Sequence, residues 1–343
     1  MISRAEALDL FDSSDLIGIG MEADAVRRQR HPEGVVSYII DRNINYTNFC
    51  TEYCSFCAFY RPMGHAEGYL LPKETIFQKI QETLDLGGTG VLMQGGLHPD
   101  LKIEWYEDLF SSIKKRFPIH LHCLSAPELT NIADISGLSL RDTIARLRDS
   151  GLDSIPGGGA EILDDAVRHR ISRLKCSVQE WLDVHRTAHQ LGMRTTATMM
   201  FGCGETIDQR MNHLDLVRNL QEETGGFTAF IPWTFQRENT SLGRFIKEEA
   251  TAVEYLQTLA ISRIYLNNFE NVQSSWVTQG LKTCQLGLRF GGNDVGSIMI
   301  EENVVSAAGA HHRASEEELR RMIRDAGFVP KQRDTLYRTY FLN

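Results

Sequence analysis

The stretch Asn48-Phe49-Cys50-Thr51-Glu52-Tyr53-Cys54-Ser55-Phe56-Cys57-Ala58-Phe59-Tyr60-Arg61 decides how the rest of the chain reads. It gathers three of the chain's seven cysteines into eight residues, spaced C-x3-C-x2-C. Thiolate is the ligand of iron–sulfur clusters, and a [4Fe–4S] cluster closes with four of them. Three from one loop leave one iron without a protein ligand, and an open metal position is where substrate or cofactor binds. Three other readings compete. Zinc usually draws on two ligand pairs, and the chain has no second C-x-x-C. A disulfide framework suits small secreted chains, not 343 residues with an odd number of cysteines. Chance clustering of buried cysteines is the third. The open-iron cluster alone uses all three residues at their spacing, and it is preferred.

Outward from this loop the chain alternates strand and helix patterns. A β-branched run over 35–44 predicts a strand that ends just before the cysteines. Further strands are expected at 91–93, 119–124, 152–155, 195–201, 227–235, 272–276 and 297–300. Helical patterns lie between them, opened by capping boxes such as Ser177-x-x-Glu180, Thr206-x-x-Gln209 and Ser315-x-x-Glu318. Strand–helix alternation of this length implies a parallel sheet, and eight repeats imply an α/β fold closed as a (β/α)8 TIM-type barrel. A partial six-unit barrel with a C-terminal extension is the alternative, because the last two strands are weak. No Pro-rich linker divides the chain. One domain over 1–343 is expected, with a helical segment at 1–34 and a helical extension at 310–343.

Composition narrows the class. Hydrophobic content of 42% and charged content of 24% are those of a water-soluble globular protein. A net charge of −9 argues against nonspecific binding to nucleic acid or anionic membranes. No apolar run is long enough to span a membrane. The N-terminus is acidic and lacks a secretory pattern, so a cytoplasmic location is expected.

In α/β barrels the site lies where strands end and loops begin. Gly95 and Gly96 follow the second strand and let a backbone approach a ligand closely. Ser125 follows the third strand. Glu161 follows Gly157-Gly158-Gly159-Ala160, where it can accept hydrogen bonds from sugar hydroxyls; the lysine and hydroxyl of a phosphate loop are absent. Arg61, His98, Asp294 and Glu302 are polar residues in or beside the predicted loops and candidates for binding substrate or moving its protons, although a lone ionisable loop residue is more often solvated than catalytic. Cys123, Cys176 and Cys284 read as small buried residues.

The cysteine spacing, with Phe56 just before the third cysteine, resembles the radical S-adenosylmethionine (SAM) superfamily. The resemblance implies that Cys50, Cys54 and Cys57 hold a [4Fe–4S] cluster and that SAM chelates the open iron. It places Phe56, Gly95, Gly96, Ser125 and Glu161 around SAM. Leu97 stands where the superfamily often has an acid after the two glycines, so only the backbone role carries over there. Over 41–337 the segments Cys57-Ala58-Phe59-Tyr60-Arg61, Gln94-Gly95-Gly96-Leu97-His98-Pro99, Asp153 to Glu161, Glu301 to Ser306 and Gln332 to Tyr337 are similar to the dehypoxanthine futalosine cyclase family of menaquinone biosynthesis. That likeness implies cyclisation of dehypoxanthine futalosine. The 5′-deoxyadenosyl radical takes the ribose C4′ hydrogen, and the carbon radical adds to the benzoate ring. It also implies an external one-electron donor such as flavodoxin or ferredoxin. Aminofutalosine synthase and FO synthase are the neighbouring alternatives. A pure electron carrier or a non-catalytic sensor are the alternatives from other classes.

Overall fold

The computed structural model describes residues 2–338 and the backbone of residues 340 and 341. The chain opens with α1 (Arg4–Asp12) and α2 (Leu16–Arg30), which pack against a later helix, α10 (Ala252–Tyr265). The strand expected over 35–44 is broken at Ile40 into β1 (Val35–Ile39) and β2 (Asp41–Ile44). β2 begins a parallel sheet of seven strands in chain order: β3 (Gly90–Met93), β4 (His120–Cys123), β5 (Ser154–Ile155), β6 (Arg194–Phe201), β7 (Phe227–Thr234) and β8 (Asn271–Val272) follow it. β1 instead pairs with β9 (Asp294–Ser297) on one side and β10 (Val329–Arg333) on the other.

These pairings curl the sheet. β8 meets β9 through Asn293 N–H donating to Val272 O at 3.1 Å and Ser274 N–H donating to Asp294 O at 2.8 Å. β9 meets β1, and β1 runs directly into β2. The curled wall of seven strands is thus bridged across its gap by β9 and β1, giving eight strand positions. Helices α3 (Lys73–Asp85), α4 (Ile103–Arg116), α5 (Ala126–Ser136), α6 (Leu140–Asp149), α7 (Asp165–Ile171), α8 (Val178–Gln190) and α9 (Ile207–Thr224) cover the outside together with α10 and α11 (Gly280–Gly287). The helix-facing strand residues, such as Val91, Leu121 and Ala197, join Ile80, Leu109 and Val184 in one buried core. The capping boxes at Ser177, Thr206 and Ser315 are all formed.

Two expectations shift. The eighth strand lies at Asp294–Ser297 rather than at 297–300. A charged residue at its start hides it from a polarity pattern, yet Asp294 is fully buried. The segment 310–343 is not wholly helical. After α12 (Val304–Ala307) and α13 (Glu316–Asp325), β10 pairs in register with β1, Val35 against Val329, and carries a short antiparallel β11 (Tyr340–Phe341). Proline and two charges in Val329–Arg333 weaken its strand signal, and pairing with β1 overrides that. Residues 339, 342 and 343 of that segment, and residue 1 of the N-terminal segment, lie outside the described residues. Among the described residues no helix is long and apolar enough to cross a membrane.

Candidate active site

The cysteines occupy the loop after β2, at the C-terminal end of the strands. The loop is pinned by its backbone. Cys50 N–H donates to Arg61 O at 3.0 Å and Arg61 N–H to Asn48 O at 2.7 Å, closing the two ends on each other. Thr51 N–H donates to Leu97 O at 3.1 Å, and Gly96 N–H to Thr47 O at 3.0 Å, tying it to the loop after β3. Ser55 N–H donates to Ile171 O at 2.8 Å and Leu242 N–H to Ser55 O at 2.8 Å. The Arg61 guanidinium donates to the carbonyls of Ala58 (3.0 Å) and Tyr60 (2.9 Å) and pairs with Glu67 at 2.7 Å. Its side chain thereby clamps the loop that carries it.

All seven cysteines are free thiols. Cys50 and Cys54 are buried and Cys57 is partly buried. Burial pushes all three thiols up, and at Cys50 and Cys54 the charge of Cys57 adds to that, so the three lie close enough to interact. Backbone N–H groups oppose the shift: those of Glu52 and Leu97 aim at the Cys50 sulfur, those of Phe59 and Tyr60 at the Cys57 sulfur. N–H donors of this kind favour thiolate and tune iron–sulfur centres. Among the described residues no three His, Cys, Asp or Glu side chains converge on a single ion, as a zinc site requires. Three thiols spread around one loop, with backbone donors and no fourth protein ligand, fit a cluster with one open iron.

Beside the cysteines lies a compact set of buried charges. Glu161 is 6% exposed and holds a left-handed backbone (φ 41°). Its Oε1 pairs with Lys175 at 3.0 Å, and Arg168 stands 3.6 Å from Oε2. Oε2 itself is buried and accepts no hydrogen bond. Glu52, in the cysteine loop, has a second buried and unpartnered oxygen. Burial raises its carboxyl, against the opposing pull of Lys175 and Arg168. Burial alone would depress Lys175, but the charges of Glu161 and Cys54 outweigh it and hold the ammonium on. Lys175 also sits 5.1 Å over the Phe56 ring. Unpaired carboxylate oxygens beside a fixed cation match a ligand that brings both hydroxyl donors and a carboxylate, as SAM does. The structure brings Glu161 and Phe56, both expected near the site, together with Lys175, Arg168 and Glu52, which were not expected there. Glu52 was within reach, since it lies inside the cysteine stretch; Lys175 follows a helix that no motif marks.

The remaining expected residues are placed otherwise. Gly95 N–H donates to Glu128 Oε1 at 2.9 Å, and the Tyr46 hydroxyl donates to the same oxygen at 2.7 Å. Ser125 gives its N–H and hydroxyl to Glu128 Oε2 at 2.7 and 2.6 Å, as the cap of α5. Glu128 thus knots together the ends of β2, β3 and β4, and Ser125 is spent in that knot. A side chain on Gly96 would strike the Phe49 carbonyl and approach Cys50 Cβ to 2.8 Å. His98 is buried against Phe49, and its Nδ1 accepts the Asp100 N–H at 3.1 Å; burial lowers its affinity for a proton. Glu302 caps α12 by accepting from Val304, Val305 and Ser306 N–H at 2.7–2.9 Å. Asp294 makes a two-point ion pair with Arg333 at 2.6 and 2.9 Å and accepts from Ser37 at 2.6 Å. Each of the last two carboxylates is committed to holding structure, which a loop position in sequence does not reveal.

Fold and site together define an α/β barrel built around a three-thiolate loop at its open rim. Comparisons agree with that class. The family model of the radical SAM superfamily matches residues 44–217, and that of the CofH/MqnC C-terminal region matches 224–342. A cyclic dehypoxanthine futalosine synthase of Halalkalibacterium halodurans is 48% identical over 98% of this chain and 90% of its own length. The protein of that name from Streptomyces coelicolor is 47% identical over 98% of this chain and 85% of its own. A 5-amino-6-(D-ribitylamino)uracil–L-tyrosine 4-hydroxyphenyl transferase of Methanothermobacter thermautotrophicus is 40% identical over 98% and 94%. The solved structure of methylornithine synthase shares the fold with a TM-score of 0.75 at 18% identity, covering 96% of this chain and 94% of that one. The chain belongs to the radical SAM superfamily, in the branch that carries the CofH/MqnC C-terminal region. It is a radical SAM enzyme, and its cofactors are a [4Fe–4S] cluster and SAM.

Proposed function

We propose that this enzyme cyclises dehypoxanthine futalosine in the futalosine route to menaquinone. The observation that carries the reading is the 48% and 47% identity, across 98% of the chain, to two relatives named for that activity. Cys50, Cys54 and Cys57 hold the cluster; when bound, cluster and SAM supply a 5′-deoxyadenosyl radical that takes the C4′ hydrogen of the substrate ribose. The chain's own work is positional. Lys175 meets the SAM carboxylate, and the open oxygens of Glu161 and Glu52 accept from its hydroxyl and amino groups. Gly95 and Gly96 keep the loop after β3 tight against the cysteines. The barrel wall keeps water from the radical, and reacting atoms must be held at about 3–3.5 Å. The chain has no second cysteine cluster, so its electron comes from an outside carrier such as flavodoxin or ferredoxin. Work in the cytoplasm suits free thiols and such a carrier.

The test is the fate of one hydrogen. With substrate deuterated at C4′, one deuterium is expected in 5′-deoxyadenosine for each ring closed. Unlabelled 5′-deoxyadenosine from fully converted substrate would overturn the reading.

A further inference from the structure

Small α/β barrels fill their interior with layers of branched apolar side chains. Here the interior carries polar groups. Successive strand residues face opposite sides. On β4, Leu121 and Cys123 are fully buried against the helices, so His120 and His122 face the lumen. Leu92, His122, Thr198 and Trp233 are all partly accessible although each belongs to the inner face of the wall. The inner face is thus accessible at these four positions, where Leu92 and Trp233 offer apolar surface to an aromatic ring.

A hydrogen-bonded chain leads out of that space. His122 Nδ1 and His120 Nε2 both lie 2.7 Å from Ser154 Oγ. One hydroxyl proton serves only one of them, so Ser154 donates to one imidazole and accepts from the other. His122 Nε2 has no partner among the described residues and is not sealed off. His120 and Arg333 are the charged or titratable groups facing His122. Asp153, Lys114, Asp334 and Arg338 are those facing His120, at the lower end of the barrel. Burial, helped by His120 and Arg333, lowers His122 to about 3, so it is neutral at rest and holds an added proton only weakly, which makes the onward path through Ser154 necessary to its role. Asp41 is hydrogen-bonded to Ser297, with Arg333 and Asp294 acting on it.

We propose that His122 takes the proton lost when the substrate's aromatic ring is restored after closure, and that Ser154 and His120 pass it to the lower rim. The inference rests on the cyclase reading above. After the C4′ radical has added, the attacked ring carbon still carries its hydrogen. Its C–H pair and the unpaired ring electron rearrange together. Two of these electrons complete the aromatic sextet, and one leaves to a one-electron acceptor of the iron–sulfur class. The proton goes to His122 Nε2. His122 then gives its Nδ1 proton to Ser154, whose own proton moves to His120 Nε2.

The test uses reconstituted holoenzyme and C4′-deuterated substrate, and it reads labelled 5′-deoxyadenosine and cyclic product separately. In His122→Gln, deuterium is expected in 5′-deoxyadenosine as in the wild type. Product per labelled 5′-deoxyadenosine is expected to fall by about 100-fold or more, the range for a lost general base. Substrate affinity of the reconstituted, SAM-free His122→Gln holoenzyme, by calorimetry, is expected to stay within about twofold of wild type, which a packing role would not allow. Ser154→Ala and His120→Gln are expected to lower the product ratio about tenfold, and they carry the test if His122→Gln does not fold. A wild-type ratio in folded His122→Gln, or in both relay variants, overturns the proposal. Wild-type enzyme that leaves 5′-deoxyadenosine unlabelled overturns the cyclase reading instead.

Discussion

Gly96 shows how one missing side chain places a reactive loop. Its N–H holds Thr47, and any Cβ would press on Phe49 and Cys50. Gly96→Ala is therefore expected to lower iron content as well as SAM affinity, measured by iron analysis and SAM titration on the reconstituted protein. Full iron with weakened SAM would mean that the glycine serves the ligand alone, as its sequence position by itself suggests. Glu161 makes the complementary case. Its left-handed backbone costs about 1–3 kcal/mol in a residue other than glycine, so the fold maintains it against a local penalty. With one oxygen on Lys175 and the other open, Glu161→Ala is expected to weaken SAM by about 1–3 kcal/mol, read by equilibrium binding. Unchanged affinity would return Glu161 to a purely structural role. The cysteine and glycine loops stand out in the sequence because their spacing is local. Lys175 and Arg168 do not, because only the return of α7 and the segment after it brings them to Glu161.

At the level of elements, β10 is the piece the sequence hides. Its residues form a strand because β1 offers an unpaired edge and because Arg333 neutralises Asp294 on β9. Asp294 is 0% and Arg333 5% exposed, so neither charge has water to fall back on. Removing one partner of a buried pair costs about 3–5 kcal/mol, while removing both costs far less. Arg333→Met is therefore expected to destabilise the protein by about that amount in denaturant unfolding, with partial recovery in Arg333→Met combined with Asp294→Asn. Equal losses in the single and double variants would deny the coupling. The pair also explains two expectations that moved. A strand that starts with a buried aspartate looks like a loop, and a strand holding proline, lysine and arginine looks like the tail of a helix. Most helices were legible, because capping boxes and 3.6-residue periodicity are local signals; the short α7 and α12 were not. The short strands draw their stability from neighbours far away in sequence.

The whole molecule keeps several titratable groups away from water, and together they set how it responds to acid. Eleven histidines in a chain of net charge −9 give no sign in sequence of which are buried. Burial lowers His122 and His213 to about 3, with nearby positive charge helping in each case. Burial, with Arg194, lowers His189 to about 4. An unfolded histidine titrates near 6.5. From about pH 6.5 down to about 4 the unfolded chain therefore binds protons that these three sites refuse, and stability falls as pH falls. Asp41 acts the other way. Burial lifts it to about 6, so on acidification the folded state takes its proton first and gains stability. His31, His98, His120 and His185 are lowered as well, against carboxyls that burial raises at Asp41, Glu52 and Glu128. The histidines prevail, and stability is expected to fall as pH falls through this window, each net proton being worth about 1.4 kcal/mol per pH unit. His189 isolates one of them, because its two ring nitrogens lie 2.6 and 2.8 Å from the hydroxyls of Thr224 and Thr195, far from the cysteine loop in chain and fold. Anaerobic denaturant unfolding of His189→Asn between about pH 6 and 4.5 is expected to show a slope smaller than wild type by about 1.4 kcal/mol per pH unit. An unchanged slope would mean that His189 takes up its proton in the folded state as readily as in the unfolded one.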